Sequence, residues 1–244
     1  MPEPGKKIKE EFGLQEEAQA VQEYSALINA VMYPNYPLIA DEVLSRLQTT
    51  PERILDIGTG LGTLATEFAK RLPRAQMIGV DLSMEMLQEA QRKASGQYAH
   101  LKFIACDVHK PCLKIESFDL VVSFGVLHHL HDLEVVLTGV RSLMGPGGVA
   151  YIYDLKKEAH PDTVSEIALG LSPLHRKAFL ESVDESFSED RLRNALAHAG
   201  FSAYSLSSLK FSRSTLVKNK EMLRQSSFLG ERFSSILWEC CLKK

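Results

Sequence analysis

Between Arg53 and Asp154 the chain alternates five short apolar runs with segments of helical character, and this alternation limits the fold more than any other feature. The runs RILDI, QMIGV, LKFIAC, FDLVVSF and GVAYIYD are each mostly apolar, with consecutive apolar residues rather than one at every second position. Strands buried on both faces read this way, and such strands are parallel ones covered by helices. The intervening segments carry helix signals. Ser83 can cap a helix bearing Met84, Leu87, Gln91 and Ala94, with Gly96 just beyond, and Asp132 can cap one bearing Leu133, Val136, Leu137, Val140 and Leu143. Right-handed crossovers through these helices give a doubly wound α/β sheet.

The flanks follow different rules. Residues 14–48 have apolar side chains at helical spacing, interrupted at Tyr33-Pro34-Asn35-Tyr36-Pro37, where proline removes a donor and restricts its predecessor. After Asp154 the alternation stops, and 162–170 and 173–183 read as helices, with Ser172-Pro173 a good start for the second. Ser188 then caps a helix through Ala199 that Gly200 closes. The runs FSAYSLSSL and FSRSTLVK are expected to pair as antiparallel strands, and 219–241 is expected to be helical, with Met222, Leu229, Phe233, Ile236, Leu237 and Cys240 roughly on one face. The division that follows is a helical cover over 1–50, a sheet domain over 51–218 with a helical lid insertion at 156–186, and a C-terminal helical extension over 219–244 that could serve as a homodimer contact.

Length and charge narrow the function classes. A chain of 244 residues can bury one sizeable core. With 28 basic against 31 acidic residues there is no broad excess of cations, so a nucleic-acid partner is disfavoured. No run is long and apolar enough to span a bilayer, and the amino terminus lacks the apolar core of a signal peptide, so the expected location is cytoplasmic and no membrane partner is expected. Cys106, Cys112, Cys240 and Cys241 form no CxxC pair and are expected to be reduced thiols.

The strongest local signal joins the first strand to its helix: Asp56-Ile57-Gly58-Thr59-Gly60-Leu61-Gly62. Alternating glycines let the backbone turn sharply and let a ligand lie against it. Asp81 closes the second strand about twenty residues later, where an acid in this topology meets a ribose hydroxyl pair, and Asp107 closes the third. Any one acid could be a helix cap or a solvated turn. Parallel strands end on one edge, so the three features should converge on one crevice.

On these residues, 53–155 resemble the class I, Rossmann-like S-adenosylmethionine-dependent methyltransferases of the small-molecule type. DIGTGLG is similar to their first motif, GVDLS to the second, ACDV to the third, FDLVVSFGVLHHL to the fourth-strand motif, and LMGPGGVAYIYD to the loop and fifth strand. The resemblance implies a seven-stranded sheet whose last strand is antiparallel, which 201–218 could supply. It implies S-adenosylmethionine as cofactor, with Gly58, Gly60 and their neighbours cradling the methionine part, Asp81 on the ribose and Asp107 with Val108 framing the adenine. The cofactor-contacting set is then Asp56, Gly58, Thr59, Gly60, Gly62, Asp81, Leu82, Met86, Cys106, Asp107, Val108, Phe124, Gly125 and Val126. A nicotinamide or flavin site is the alternative within the same fold, but it wants glycine where Thr63 stands and normally no acid at Asp56. A partner or sensor protein that binds the cofactor without turnover is the alternative from another class.

Methyl transfer from a sulfonium is an in-line displacement, so alignment and water exclusion dominate, and a base matters only if the acceptor must lose a proton. The segment Phe124 to Asp132 opens onto the crevice, where His128 could act as base. Tyr153 and Asp154, ending the fifth strand, are placed to meet an acceptor. Tyr24, Tyr33, Tyr36, His129, His175 and Phe179 are candidates for the pocket of a small-molecule acceptor, although aromatic residues on helices more often pack a core. Three histidines near Asp132 point different ways and lack ligand-spaced cysteines, so no metal is expected.

Overall fold

The five apolar runs form strands, and helices cover both faces of the central ones. In the computed structural model, which describes residues 35–110, 113–225 and 234–244, the parallel strands are β1 (Arg53–Ile57), β2 (Gln76–Asp81), β3 (Leu101–Ala105), β4 (Phe118–Phe124) and β5 (Met144–Leu155). Successive residues feed opposite cores. Ile54, Met77, Leu120, Val122, Tyr151 and Tyr153 join one with Phe68 and Ile39, while Leu55, Val80, Val121 and Ile152 join the other with Val136, Leu137 and Leu196. Helix α1 (Asn35–Arg46) and α2 (Thr63–Arg71) cover the first face, and α4 (Leu133–Leu143) the second; α3 (Met84–Ala94), between β2 and β3, begins at Ser83, whose hydroxyl accepts from the Met86 amide at 3.2 Å. The sheet order β3-β2-β1-β4 places a switch point between β1 and β4, where doubly wound sheets open a crevice at the carboxyl edge.

The helical insertion is present as α5 (Pro161–Leu169) and α6 (Pro173–Glu185), the second lying against a single 3₁₀ turn at Leu127–His129. Helix α7 (Glu189–His198) follows, capped by Ser188. Of the cover expected over 1–50, residues 1–34 fall outside the described residues. Its described part, α1, is already helical at Asn35, inside the expected break, and carries Pro37.

Two C-terminal expectations are corrected. The first run, 201–209, contains β6 (Ala203–Ser208), but 211–218 is not a strand: it holds α8 (Arg213–Lys218), started by the Ser212 hydroxyl accepting from the Thr215 amide at 3.3 Å. The antiparallel strand comes instead from the segment read as helical. After α9 (Lys220–Gln225), β7 (Leu237–Lys243) inserts between β5 and β6 and pairs antiparallel with both, completing the seven strands. Trp238, Cys240 and Leu242 enter one core and Leu237 the other, a two-residue alternation that a short apolar run cannot distinguish from a helix turn by itself. The carboxyl terminus therefore completes the sheet, so its strand residues 237–243 offer no free helical face as a dimer contact.

Candidate active site

The loop after β1 is held from three sides. Gly58, Gly60 and Gly62 have φ of 65°, 51° and 69°, the left-handed region that glycine enters without penalty. A Cβ on Gly58 would lie 2.3 Å from a Val126 methyl, so the β1 and β4 loops interlock. At Gly60 a Cβ would meet nothing within 4 Å, which marks the open side of the loop. The Thr59 amide donates to the Val80 carbonyl at 2.8 Å, and the Gly60 amide donates to Asp81 Oδ2 at 2.8 Å. Asp81 Oδ1 accepts from the Ser83 amide at 2.9 Å. Asp81 is thereby aimed at the loop, and each oxygen keeps a lone pair for a further donor.

Asp56 lies beneath this loop rather than lining it. Thr59 Oγ1 donates to its Oδ2 at 2.7 Å, and Asp56 is buried. Burial pushes its carboxyl up to about 7, only partly offset by hydrogen bonds from Thr59 and the Ala65 amide, with the Asp81 charge adding to the rise. Leu82, beyond Asp81, is exposed, whereas Met86 packs partly into the first core.

At the β3 end, the Cys106 amide donates to the Asp81 carbonyl at 2.9 Å, tying the two tips together. Cys106 is disulfide-bonded, so the expectation of reduced thiols is corrected there, while Cys240 and Cys241 are free. Asp107 Oδ1 accepts from the His109 amide at 3.0 Å and faces His109 Nδ1 at 2.9 Å, and its Oδ2 lies 3.0 Å from Lys110 Nζ. Partial burial favours the neutral acid, but these donors outweigh it and hold Asp107 down at about 2. Val108 packs partly against the second core.

The β4 loop completes the edge. The Gly125 amide donates to the Tyr153 carbonyl at 2.8 Å, and Phe124 packs edge-on to Tyr36, ring centres 5.3 Å apart. His128 and Asp154 form a buried pair. The carboxylate accepts from the His128 amide at 3.3 Å and its own neighbour's amide, Leu155 N, at 2.7 Å, and lies 2.6 Å from His128 Nδ1. A carboxylate serving as acceptor to this many N–H groups makes Nδ1 the donor, so that in the neutral ring Nε2 is the nitrogen that carries the lone pair. The His129 ring lies 3.9 Å from that of His128; burial first and the neighbouring imidazole second push His129 down to about 4, against a smaller opposing effect of Asp154.

Tyr153 points the other way. Adjacent strand residues face opposite sides, so its fully buried ring stands in the first core, 6.3 Å from Phe124, while Asp154 faces the second. Burial raises its hydroxyl well above the ordinary range. Tyr24 and Tyr33 lie outside the described residues. His175 and Phe179 are on α6, His175 with a buried Nε2 and Phe179 packed against the first core. Sequence reasoning had no means of pairing His128 with Asp154, which are 26 positions apart, and it passed over His109.

Residues 49–200 match a family model described as a methyltransferase domain. The malonyl-[acyl-carrier protein] O-methyltransferase of Legionella pneumophila is 33% identical over 144 residues, covering 59% of this chain and 49% of that protein. The demethylmenaquinone methyltransferase of Thermus thermophilus is 34% identical over 103 residues, 42% of this chain and 46% of that one. The chain thus spans about half the length of these curated relatives. Among solved structures, the plantazolicin methyltransferase BpumL, in complex with a monoazolic desmethylPZN analog and SAH, superposes with a TM-score of 0.74 at 18% identity, covering 94% of this chain and 91% of that one. At that identity the likeness is one of fold.

Proposed function

The chain belongs to the methyltransferase-domain family, and from that premise we propose that it transfers the methyl group of S-adenosylmethionine to a small organic acceptor. The observation that carries this reading is the junction of Gly60 and Asp81: an open, left-handed loop position whose amide is fixed by a carboxylate at the next strand tip. Such a junction fits an adenosyl group, with backbone beside the methionine part and Asp81 oxygens free to accept from two ribose hydroxyls. Asp107, kept anionic by His109 and Lys110, supplies an acceptor one strand further along for the adenine edge.

The bound sulfonium supplies an electrophilic methyl carbon. The residues of this chain then have to orient the acceptor and exclude water. The Asp154 carboxylate fixes the His128 ring and backbone together, which leaves Nε2 as the nitrogen able to take a proton from a protic acceptor. Relatives are named for action on malonyl-[acyl-carrier protein] and on demethylmenaquinone; a carboxylate acceptor needs no base, whereas an acceptor that must lose a proton does.

Titration calorimetry with S-adenosylhomocysteine tests the cofactor reading. Loss of a charged hydrogen-bond acceptor costs about 1.5–3 kcal/mol, so Asp81→Ala should weaken binding by roughly ten- to a hundredfold. Unchanged affinity in the variant, or none in the wild type, rejects the reading.

A further inference from the structure

The net charge of −3 hides a segregated surface. Residues 210–224 carry Lys210, Arg213, Lys218, Lys220 and Arg224 against Glu221 alone, five cations to one carboxylate in a chain otherwise acidic. The helices in this strap are nearly continuous, because the Asn219 amide donates to the Thr215 carbonyl at 3.1 Å and the Leu223 amide to the Asn219 carbonyl at 3.0 Å. Arg213, Leu216, Val217 and Lys220 therefore stand at i, i+3, i+4 and i+7, one helical face, and all four are exposed, Val217 at 65%.

The opposite side of the strap is locked down. Thr215 is buried, the Ser212 amide donates to Glu42 Oε2 at 2.8 Å, and Asp41 accepts from Lys218 Nζ at 2.6 Å and Asn219 Nδ2 at 2.8 Å. A face of two aliphatic side chains between two cations is thus held rigidly outward. Its position matters as well. The strap leaves β6 at Ser208, which pairs with Trp238, and Trp238 pairs across β7 with Asp154. It therefore emerges from the carboxyl edge that also holds His128, Asp81 and Asp107.

We propose that this face docks an acidic helix of a carrier protein that bears the acceptor covalently, so that docking delivers the acceptor to the carboxyl edge. The role of delivery rests on the methyl-transfer reading above; the docking itself does not. Cations flanking a small apolar contact match an acidic amphipathic helix. A membrane surface fits less well, since surface-lying helices use longer apolar faces with aromatic anchors, and among the described side chains of 213–220 only Leu216 and Val217 are exposed large apolar ones. A single-stranded nucleic acid would want aromatic stacking platforms, and positions 213–220 contain none.

The test uses the full chain with holo-acyl carrier protein as probe, measured by calorimetry at two ionic strengths, beside vesicles of phosphatidylglycerol and phosphatidylcholine. The expected result is carrier binding that weakens with salt, falls about tenfold or more in Arg213→Glu/Lys220→Glu, and falls again in Leu216→Ser/Val217→Ser. S-adenosylhomocysteine affinity, measured on the same samples, should be the same in all variants, which shows them folded and separates this proposal from the cofactor reading. Absent carrier binding, carrier binding indifferent to the charge reversal, or binding to anionic vesicles alone each overturns it.

Discussion

Replacing Gly58 by alanine should damage the protein more than the same change at Gly60, and the structure sets the size of the gap. Both residues have φ in the left-handed region, so each variant bears a backbone strain of about 1 kcal/mol or slightly more. At Gly60 that is the whole cost, because nothing lies within 4 Å of the new Cβ. At Gly58 the new Cβ would fall 2.3 Å and 2.7 Å from the two Val126 methyls, so the β4 loop must move, and overpacking of this kind adds roughly 1–3 kcal/mol. For a domain of this size each kcal/mol lowers Tm by about 2–4 °C. Urea denaturation and thermal melts of Gly58→Ala, Gly60→Ala, Val126→Ala and the Gly58→Ala/Val126→Ala pair read the difference. Removing the Val126 methyls should restore roughly 1 kcal/mol or more to Gly58→Ala, a coupling that appears only between residues in contact. Equal losses at the two glycines, together with strict additivity of Gly58→Ala and Val126→Ala, would show that the loops do not interlock.

Two further outcomes follow from the buried acids. Asp56 has its carboxyl raised to about 7 in the folded protein, so its contribution to stability is complete below about pH 4 and is lost as pH rises through 7, on the order of 4 kcal/mol at most. Urea midpoints between pH 4 and 8 should accordingly fall less steeply in Asp56→Asn than in the wild type, and parallel profiles would count against the assignment. In Asp154→Asn the amide can donate as well as accept, so ¹⁵N NMR should show the His128 ring leaving the single Nδ1–H form for a mixture; an unchanged tautomer means that something other than Asp154 orients the ring.

The fold was legible where burial is two-sided. The runs that became β1, β2, β4 and β5 are mostly apolar because helices cover both faces, whereas edge strand β3 is largely exposed, and Ser83 and Ser188 could be recognised as caps because capping is local. The crevice proposed for the cofactor was legible for a related reason: a parallel sheet sends every strand's carboxyl end to one edge, so Gly60 and Asp81 had to meet. Ser212 carried the same capping signal as Ser83, but the apolar residues after it, Leu216 and Val217, read as part of a strand.

The parallel core, the succession of its elements and the convergence of the glycine loop with two acids follow from the order of residues alone, since periodicity, caps and strand direction are properties of neighbours in the chain. That 237–243 becomes the antiparallel strand, that His128 is clamped by Asp154, and that Tyr153 turns away from it emerge from the folded arrangement. Each depends on a partner distant in sequence: two strand edges with unpaired backbone groups, a carboxylate 26 positions away, and the core that the neighbouring strand leaves to be filled. Long-range pairing leaves no periodic trace, and so it can be seen only once the chain has folded.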